Sequence, residues 1–243
     1  MELVTRRARL TMAAAAAVSV AVACTGSATA AGPYATLSDE KEITRWAHPA
    51  APADIRATHS NDSRKVGRTR RRTEDDFPEV YLALRSYTDD DGKEWIQIRI
   101  PRRPNGAKGW VPRRALRSFK TVRTRFVINR RTLRATLYRN GKRIWREPVG
   151  VGEPGTPTPA GRFWIREKFY THKSGTIYGP FAFGTAAYSR LSDWPGGGVV
   201  GIHGTNRPGL IPGRPSHGCV RVRNRAILRL AKLMPVGTPV RIL

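Results

Sequence analysis

Four side chains late in the chain have types and spacing suited to acyl transfer: His203 in "GIHGTNRPG", and Ser216, His217 and Cys219 in "RPSHGCVRV". A thiol at neutral pH is mostly protonated, so a nucleophilic cysteine needs a base or a positive field to make thiolate. Either histidine offers that base. His217 stands two residues before Cys219, so an extended segment would turn both side chains to one face. His203 ends the hydrophobic run "GGVVGIHG", read as a strand that holds it rigidly beside a loop.

A third group usually orients such a base, most often a carboxylate. Between 122 and 243 the acids are Glu147, Glu153, Glu167 and Asp193, and none adjoins either histidine motif. The expected orienting group is therefore a backbone carbonyl, that of Gly204. Gly218 leaves room for a carbonyl substrate to approach the amides of Gly218 and Cys219, which could form an oxyanion hole. Two other readings of Cys219 stay open. It could be a small buried apolar side chain, or a zinc ligand with His203 and His217, for which no fourth ligand is evident. His172, in "FYTHKSG", reads as a loop histidine.

The elements that must position these residues read as mostly β. Over 122–243, "RFVINRRTLRATLYRNGKRIWREPVGVG" gives successive strands, with a hairpin at Asn140-Gly141, where both residues accept positive φ. "GRFWIREKF" and "GGVVGIHG" add strands, and "PVRIL" closes the chain. The spacing predicts one helix over 224–234, with Ile227, Leu228, Leu230, Ala231 and Met234 on one face and Asn224 as its cap. Over 77–118, short runs "VYLALRSY", "EWIQIRI" and "GWVPRRAL" carry Trp95 and Trp110 and are separated by "DDDG" and "RRPNGAKG". They predict a small β-barrel. Residues 31–76 read as a flexible basic linker, with "RTRRR" at 68–72 either a solvated charge cluster or a polyanion tether.

The first 30 residues read as an export signal. Arg6, Arg7 and Arg9 precede the apolar run "TMAAAAAVSVAVA" and the small-residue pattern "ATA" at 28–30. Of the two cysteines, Cys24 in "AVAC" also resembles a lipoprotein cleavage site, and Cys219 is left unpaired, a flag for reactivity in an exported chain. The formal net charge of +26 draws the chain to polyanions: nucleic acid, anionic lipid or an acidic envelope. Nucleic acid is disfavoured, because no recognition motif is present and the cations are spread over the whole chain.

An H-G-T loop at 203–205, then S-H-G-C at 216–219 followed by an apolar residue and Arg221, resembles the signature of the L,D-transpeptidases with a YkuD-type catalytic domain. "GVGEPGTPTPAGRFWI" and "YGPFAFG" are similar to that family too, and the resemblance covers 122–243. The 77–118 stretch resembles a bacterial SH3-like module, a known companion of this domain. The implied architecture is a small SH3-like β-barrel followed by a β-sandwich catalytic domain with one C-terminal helix. The implied reaction is peptidoglycan cross-linking. Cys219 attacks the carbonyl of the third residue of a tetrapeptide stem and expels D-alanine, and an amine from a neighbouring stem resolves the thioester.

In that analogy His203 is base and acid, while Ser216, His217, Gly218 and Gly204 shape the substrate and oxyanion site. Arg221 has a structural or substrate-carboxylate role. "VRVRN" departs from the isoleucine and methionine more usual around this arginine. No metal or cofactor is implied. The implied partners are peptidoglycan stem peptides and anionic cell-wall polymers, with a membrane involved only through lipid on Cys24. A carboxypeptidase, in which water resolves the thioester, and a noncatalytic wall-binding protein remain alternatives.

Overall fold

Strand-type alternation decides most of the architecture, and the computed structural model describes it over residues 33–171, 176–193 and 195–243. The expected export signal, Cys24 and His172 lie outside the described residues. The two sheets below belong to one unit, Ala31–Leu243.

The first sheet has eight strands: β1 (Tyr34–Thr36), β2 (Thr44–Ala47), β3 (Asp54–Arg56), β4 (Lys65–Arg68), β5 (Tyr81–Thr88), β6 (Glu94–Arg99), β7 (Lys108–Pro112) and β8 (Lys120–Val122). Their order is β4-β3-β7-β6-β5-β2-β8, with β1 also paired to β5. Its core gathers Ile55, Tyr81, Ile96, Ile98, Val111 and Leu116, and Trp95 and Trp110 are both buried.

This overturns the flexible linker expected over 31–76, which supplies four of the eight strands. A strand such as β3, with Ile55 alone fully buried between two half-buried neighbours, is too short to show a period. Nor is "RTRRR" a free arm. Thr69 is buried and its hydroxyl accepts the Ala53 amide at 2.8 Å, while the Arg70 guanidinium reaches Glu74 at 2.9 Å and Glu79 at 3.2 Å.

The second sheet is built from β9 (Thr124–Asn129), β10 (Arg134–Arg139), β11 (Lys142–Pro148), β12 (Gly150–Gly152), β13 (Gly161–Tyr170), β14 (Phe181–Tyr188), β15 (Val199–His203), β16 (Gly213–Ser216), β17 (Val220–Arg221) and β18 (Pro239–Ile242). The order is β11-β10-β9-β18-β13-β14-β15-β17-β12-β16. In β9, buried Thr124, Phe126 and Ile128 alternate with half-buried Arg125, Val127 and Asn129, the pattern of a strand with one face on the core. The β10–β11 hairpin turns at Asn140 and Gly141, at φ +49° and +74°, as a primed turn requires. β14 is buried along its whole length because β13 and β15 flank it.

The single α-helix among the described residues, α1 (Asn224–Leu233), buries Ala226, Ile227, Leu230 and Ala231, and Met234 just beyond it is also buried. Two expectations fail here. Leu228 faces solvent at 37% exposure, because on the 3.6-residue period it falls outside the arc spanned by the buried side chains. Asn224 is not the cap: Arg223 holds that position without a side-chain bond, and the Asn224 carboxamide oxygen instead accepts the Thr205 amide at 2.8 Å.

The two sheets share buried contacts. Trp46 and Leu82 of the first, with Val80 just before β5, pack into the core of the second, and the Trp164 indole donates to the Val80 carbonyl at 2.8 Å. Beside them Arg166 and Glu79, both almost wholly buried, pair through Nε–Oε1 at 2.8 Å and Nη2–Oε2 at 2.5 Å. Arg166 also reaches Glu74 at 2.8 Å. A buried pair of this kind tolerates desolvation only when its geometry and hydrogen bonds are complete, which is the case here.

Candidate active site

The site forms where β15 and β17 run side by side. Parallel pairing sets Ile202 against Val220 and His203 against Arg221. Side chains two apart in a strand share a face, so Gly201 and His203 face the same way, next to Cys219 and Arg221. The Gly201 amide donates to Cys219 Sγ at 3.3 Å. The absence of a side chain at 201 leaves that sulfur open toward a cavity of about 230 Å³ bordered by His203, Cys219, Tyr178, Phe183, Phe169 and Asp75. A second recess of about 30 Å³ is bordered by Tyr178, His203, Ser216, His217, Cys219 and Arg221.

His203 is 3% exposed, and its Nδ1 lies 2.6 Å from the Gly204 carbonyl oxygen. A carbonyl only accepts, so Nδ1 carries the proton and Nε2 is left as the basic nitrogen. Tyr178 meets the imidazole edge-on, with centroids 5.0 Å apart at 71°. The loop beyond is fixed by the Gly204 amide on the Phe181 carbonyl at 3.1 Å and the Thr205 amide on Asn224. Burial brings the His203 imidazole down to about 4, assisted by the Arg221 charge and opposed by the bond to Gly204. Burial likewise pushes the Cys219 thiol above its ordinary value, against the Gly201 amide and the Arg221 charge, which favour thiolate. At neutral pH the resting pair is a neutral thiol beside a neutral imidazole.

The turn before Cys219 departs from the extended segment expected for it. Gly218 has φ +125°, a conformation that favours glycine, and a Cβ there would stand 3.3 Å from Ser189 Cβ. His217, before that turn, borders the same small recess as Cys219. It is exposed, with Nε2 3.5 Å from Glu153 Oε1. Glu153 is remote in sequence but adjacent in space because β12 runs parallel to β16 and the Glu153 amide bonds the Ser216 carbonyl at 2.8 Å.

Ser216 braces the turn: its Oγ donates to the Cys219 carbonyl at 2.5 Å and accepts the Gly218 amide at 3.3 Å. The Gly218 amide, expected as an oxyanion donor, is thus already engaged in the free protein. Thr158 completes the brace, donating to the Gly218 carbonyl and accepting the Gly152 amide, each at 2.8 Å. Arg221 is half-buried, and its Nε is a buried donor without a hydrogen-bond partner among the described residues. Among the described residues no three His, Cys, Asp or Glu side chains are grouped to hold a metal, and His217 is turned toward Glu153 rather than into a ligand set with His203 and Cys219.

Tyr178, Asp75, Thr158, Asn224, Ser189 and Glu153 are site residues that sequence reasoning missed. Tyr178 and Thr158 lie inside "YGPFAFG" and "GTPTPAG", so their segments were visible but their roles were not. Asp75 comes from the stretch read as linker and carried no signal.

A buried histidine oriented by a backbone carbonyl shares a cavity with a cysteine in a mostly-β fold, an arrangement of the types that acyl transfer requires. Residues 123–242 match the family model YkuD, the L,D-transpeptidase catalytic domain. The chain is 36% identical over 115 residues to the putative L,D-transpeptidase YkuD of Bacillus licheniformis, covering 47% of this chain and 61% of that protein. It is 34% identical over 140 residues to the probable L,D-transpeptidase YbiS of Escherichia coli, covering 49% and 44%. The chain thus spans less than two thirds of the length of these curated relatives. Among solved structures, the catalytic domain of the E. faecium L,D-transpeptidase is 26% identical, covering 49% of this chain and 96% of that one, at a TM-score of 0.37.

Proposed function

We propose that the protein is a peptidoglycan L,D-transpeptidase in which Cys219 is the nucleophile and His203 the general base and acid. The observation that carries this reading is the pinned tautomer of His203: Nδ1 on the Gly204 carbonyl leaves Nε2 free to take a proton, in the same cavity as Cys219 Sγ. Nε2 takes the thiol proton as sulfur attacks the carbonyl of the third stem residue. The imidazolium then gives that proton to the departing nitrogen of D-alanine as the C–N bond breaks, leaving a thioester. The incoming amine attacks the thioester, its proton passes to Nε2, and the thiolate leaves and recovers the proton.

The oxyanion is received at the Gly218–Cys219 turn, where substrate displaces the long Ser216 contact to the Gly218 amide. Arg221 supplies positive charge beside it, and Ser216, His217 and Gly204 shape the approach. A neutral resting pair suits this scheme, because the ion pair then forms only as charge develops in the reaction. The protein works outside the cytoplasm, held to anionic wall polymer by its charge.

Incubation with a carbapenem tests the nucleophile: mass spectrometry should show one covalent adduct, absent in Cys219→Ala. An adduct surviving that substitution overturns the assignment. Tetrapeptide muropeptides test the reaction. Dimers joined between third residues support transpeptidation, and tripeptides without dimers, with acceptor present, identify a carboxypeptidase.

A further inference from the structure

In a chain of net charge +26, the nucleophile's cavity holds one acid among the described residues that line it, Asp75. The walls beside it are apolar, from Phe169, Phe183 and Val199, and Asp75 is itself exposed to the space they enclose. The residue belongs to the first sheet's half of the molecule, yet its position is built. The turn at 73–77 closes on itself through the Thr73 amide to the Phe77 carbonyl at 2.8 Å and the Phe77 amide to Thr73 Oγ1 at 3.1 Å.

That turn is fastened to β13 at two further points. The Thr73 hydroxyl donates to the buried Glu167 carboxyl, and Phe77 stacks on Phe169 with centroids 5.3 Å apart at 15°. Neither of these two fastenings is made by the Asp75 carboxylate. Asp75 is also within hydrogen-bonding reach of Glu167, which burial pushes up to about 7.

We propose that Asp75 is a specificity-determining residue of this site: its carboxylate receives the free ammonium group of a peptide amine entering the Cys219 cavity, selecting that peptide over its N-acylated counterpart. A carboxylate at the end of an apolar passage accepts a cation well and a neutral amide poorly, since only the cation gains charge-assisted bonds for the water it gives up. The inference deepens the acyl-transfer reading and rests on it for the amine's role as acceptor.

The test separates the two. Calorimetry on Cys219→Ala, where no chemistry occurs, measures binding of a tripeptide ending in lysine against the same peptide acetylated at Nζ. With Asp75 present the free amine should bind at least about tenfold tighter, the scale of one charge-assisted hydrogen bond. In Cys219→Ala with Asp75→Asn the preference should shrink to within about twofold, and Asp75→Glu should restore most of it. An equal preference with aspartate and asparagine overturns the proposal, as does no preference in the Asp75 form. In parallel, formation of the carbapenem adduct is followed on the unsubstituted chain. Loss of acylation in the unsubstituted chain would undo the acyl-transfer reading while the binding preference still stood or fell by itself.

Discussion

Asn105 meets the backbone of Tyr188 twice, accepting its amide at 3.0 Å and donating to its carbonyl at 2.8 Å, so a side chain from the first sheet's half extends the edge of β14. Next to it Arg103 Nη2 donates to the carbonyls of Ser189 at 2.9 Å and Leu191 at 3.0 Å. Ser189 in turn donates through Oγ to the His217 carbonyl at 3.3 Å and packs against Gly218. The loop carrying Arg103 and Asn105 therefore bears on the turn that presents Cys219. Asn105→Ala should cost about 1–3 kcal/mol for two neutral hydrogen bonds and slow acylation of Cys219 severalfold. Denaturant unfolding and stopped-flow acylation read the two effects. An unaltered acylation rate would remove the loop from the site's support.

The acid limb of the reaction should be displaced. The His203 imidazole is held down at about 4 by burial, so it stays basic far below its ordinary range near 6.5. The pH dependence of kcat/KM reports the free enzyme's groups, and its acid limb should fall near pH 4. The sign for stability follows from the same shift: the unfolded chain takes up the proton first, so His203 contributes stability above about pH 6.5 that is lost as pH falls through 4. An acid limb at 6.5 would show that His203 is not the group titrating.

The two histidines should separate cleanly. His203→Ala should lose about 10²–10⁴-fold in turnover, the usual worth of general acid–base help. His217→Ala should lose far less, because that ring is exposed and turned toward Glu153. A mild His203→Ala beside a severe His217→Ala would reverse the roles.

Glu79 and Arg166 should govern stability rather than chemistry. Removing one member of a buried pair leaves an uncompensated charge, so Glu79→Gln should cost about 3–5 kcal/mol. Replacing both residues with apolar side chains of similar volume should cost less than the single change. Urea midpoints of the two variants against the unsubstituted chain decide it, and equal losses would mean that packing, not charge, dominates there.

Retention on isolated cell walls should weaken with salt if net charge holds the protein there. The Debye length shrinks from about 10 Å at 0.1 M to about 3 Å at 1 M, so 1 M salt should release most of the bound protein. Binding that is indifferent to salt would point to recognition of a specific structure in the wall.

Fold class and family resemblance were legible in the sequence because they rest on local patterns. "SHGC" with an upstream "HGT" carries the family resemblance, Asn140-Gly141 marks a hairpin, and alternation marks β9. Each is dictated by a few consecutive residues, through backbone conformation or side-chain period. What the tertiary structure decided was adjacency. Strands of three or four residues at 34–68 carry no readable period and become ordered only when neighbours bury residues such as Ile55. Asn224 could cap α1 by type but is drawn instead to the Thr205 amide, and Glu153 reaches His217 only because β12 lies against β16. Asp75, the acid that borders the cysteine's cavity, is more than 140 positions from Cys219 in the sequence. No local rule links them, since a short-range pattern reports which face a residue turns and only the packing of two sheets reports what that face meets.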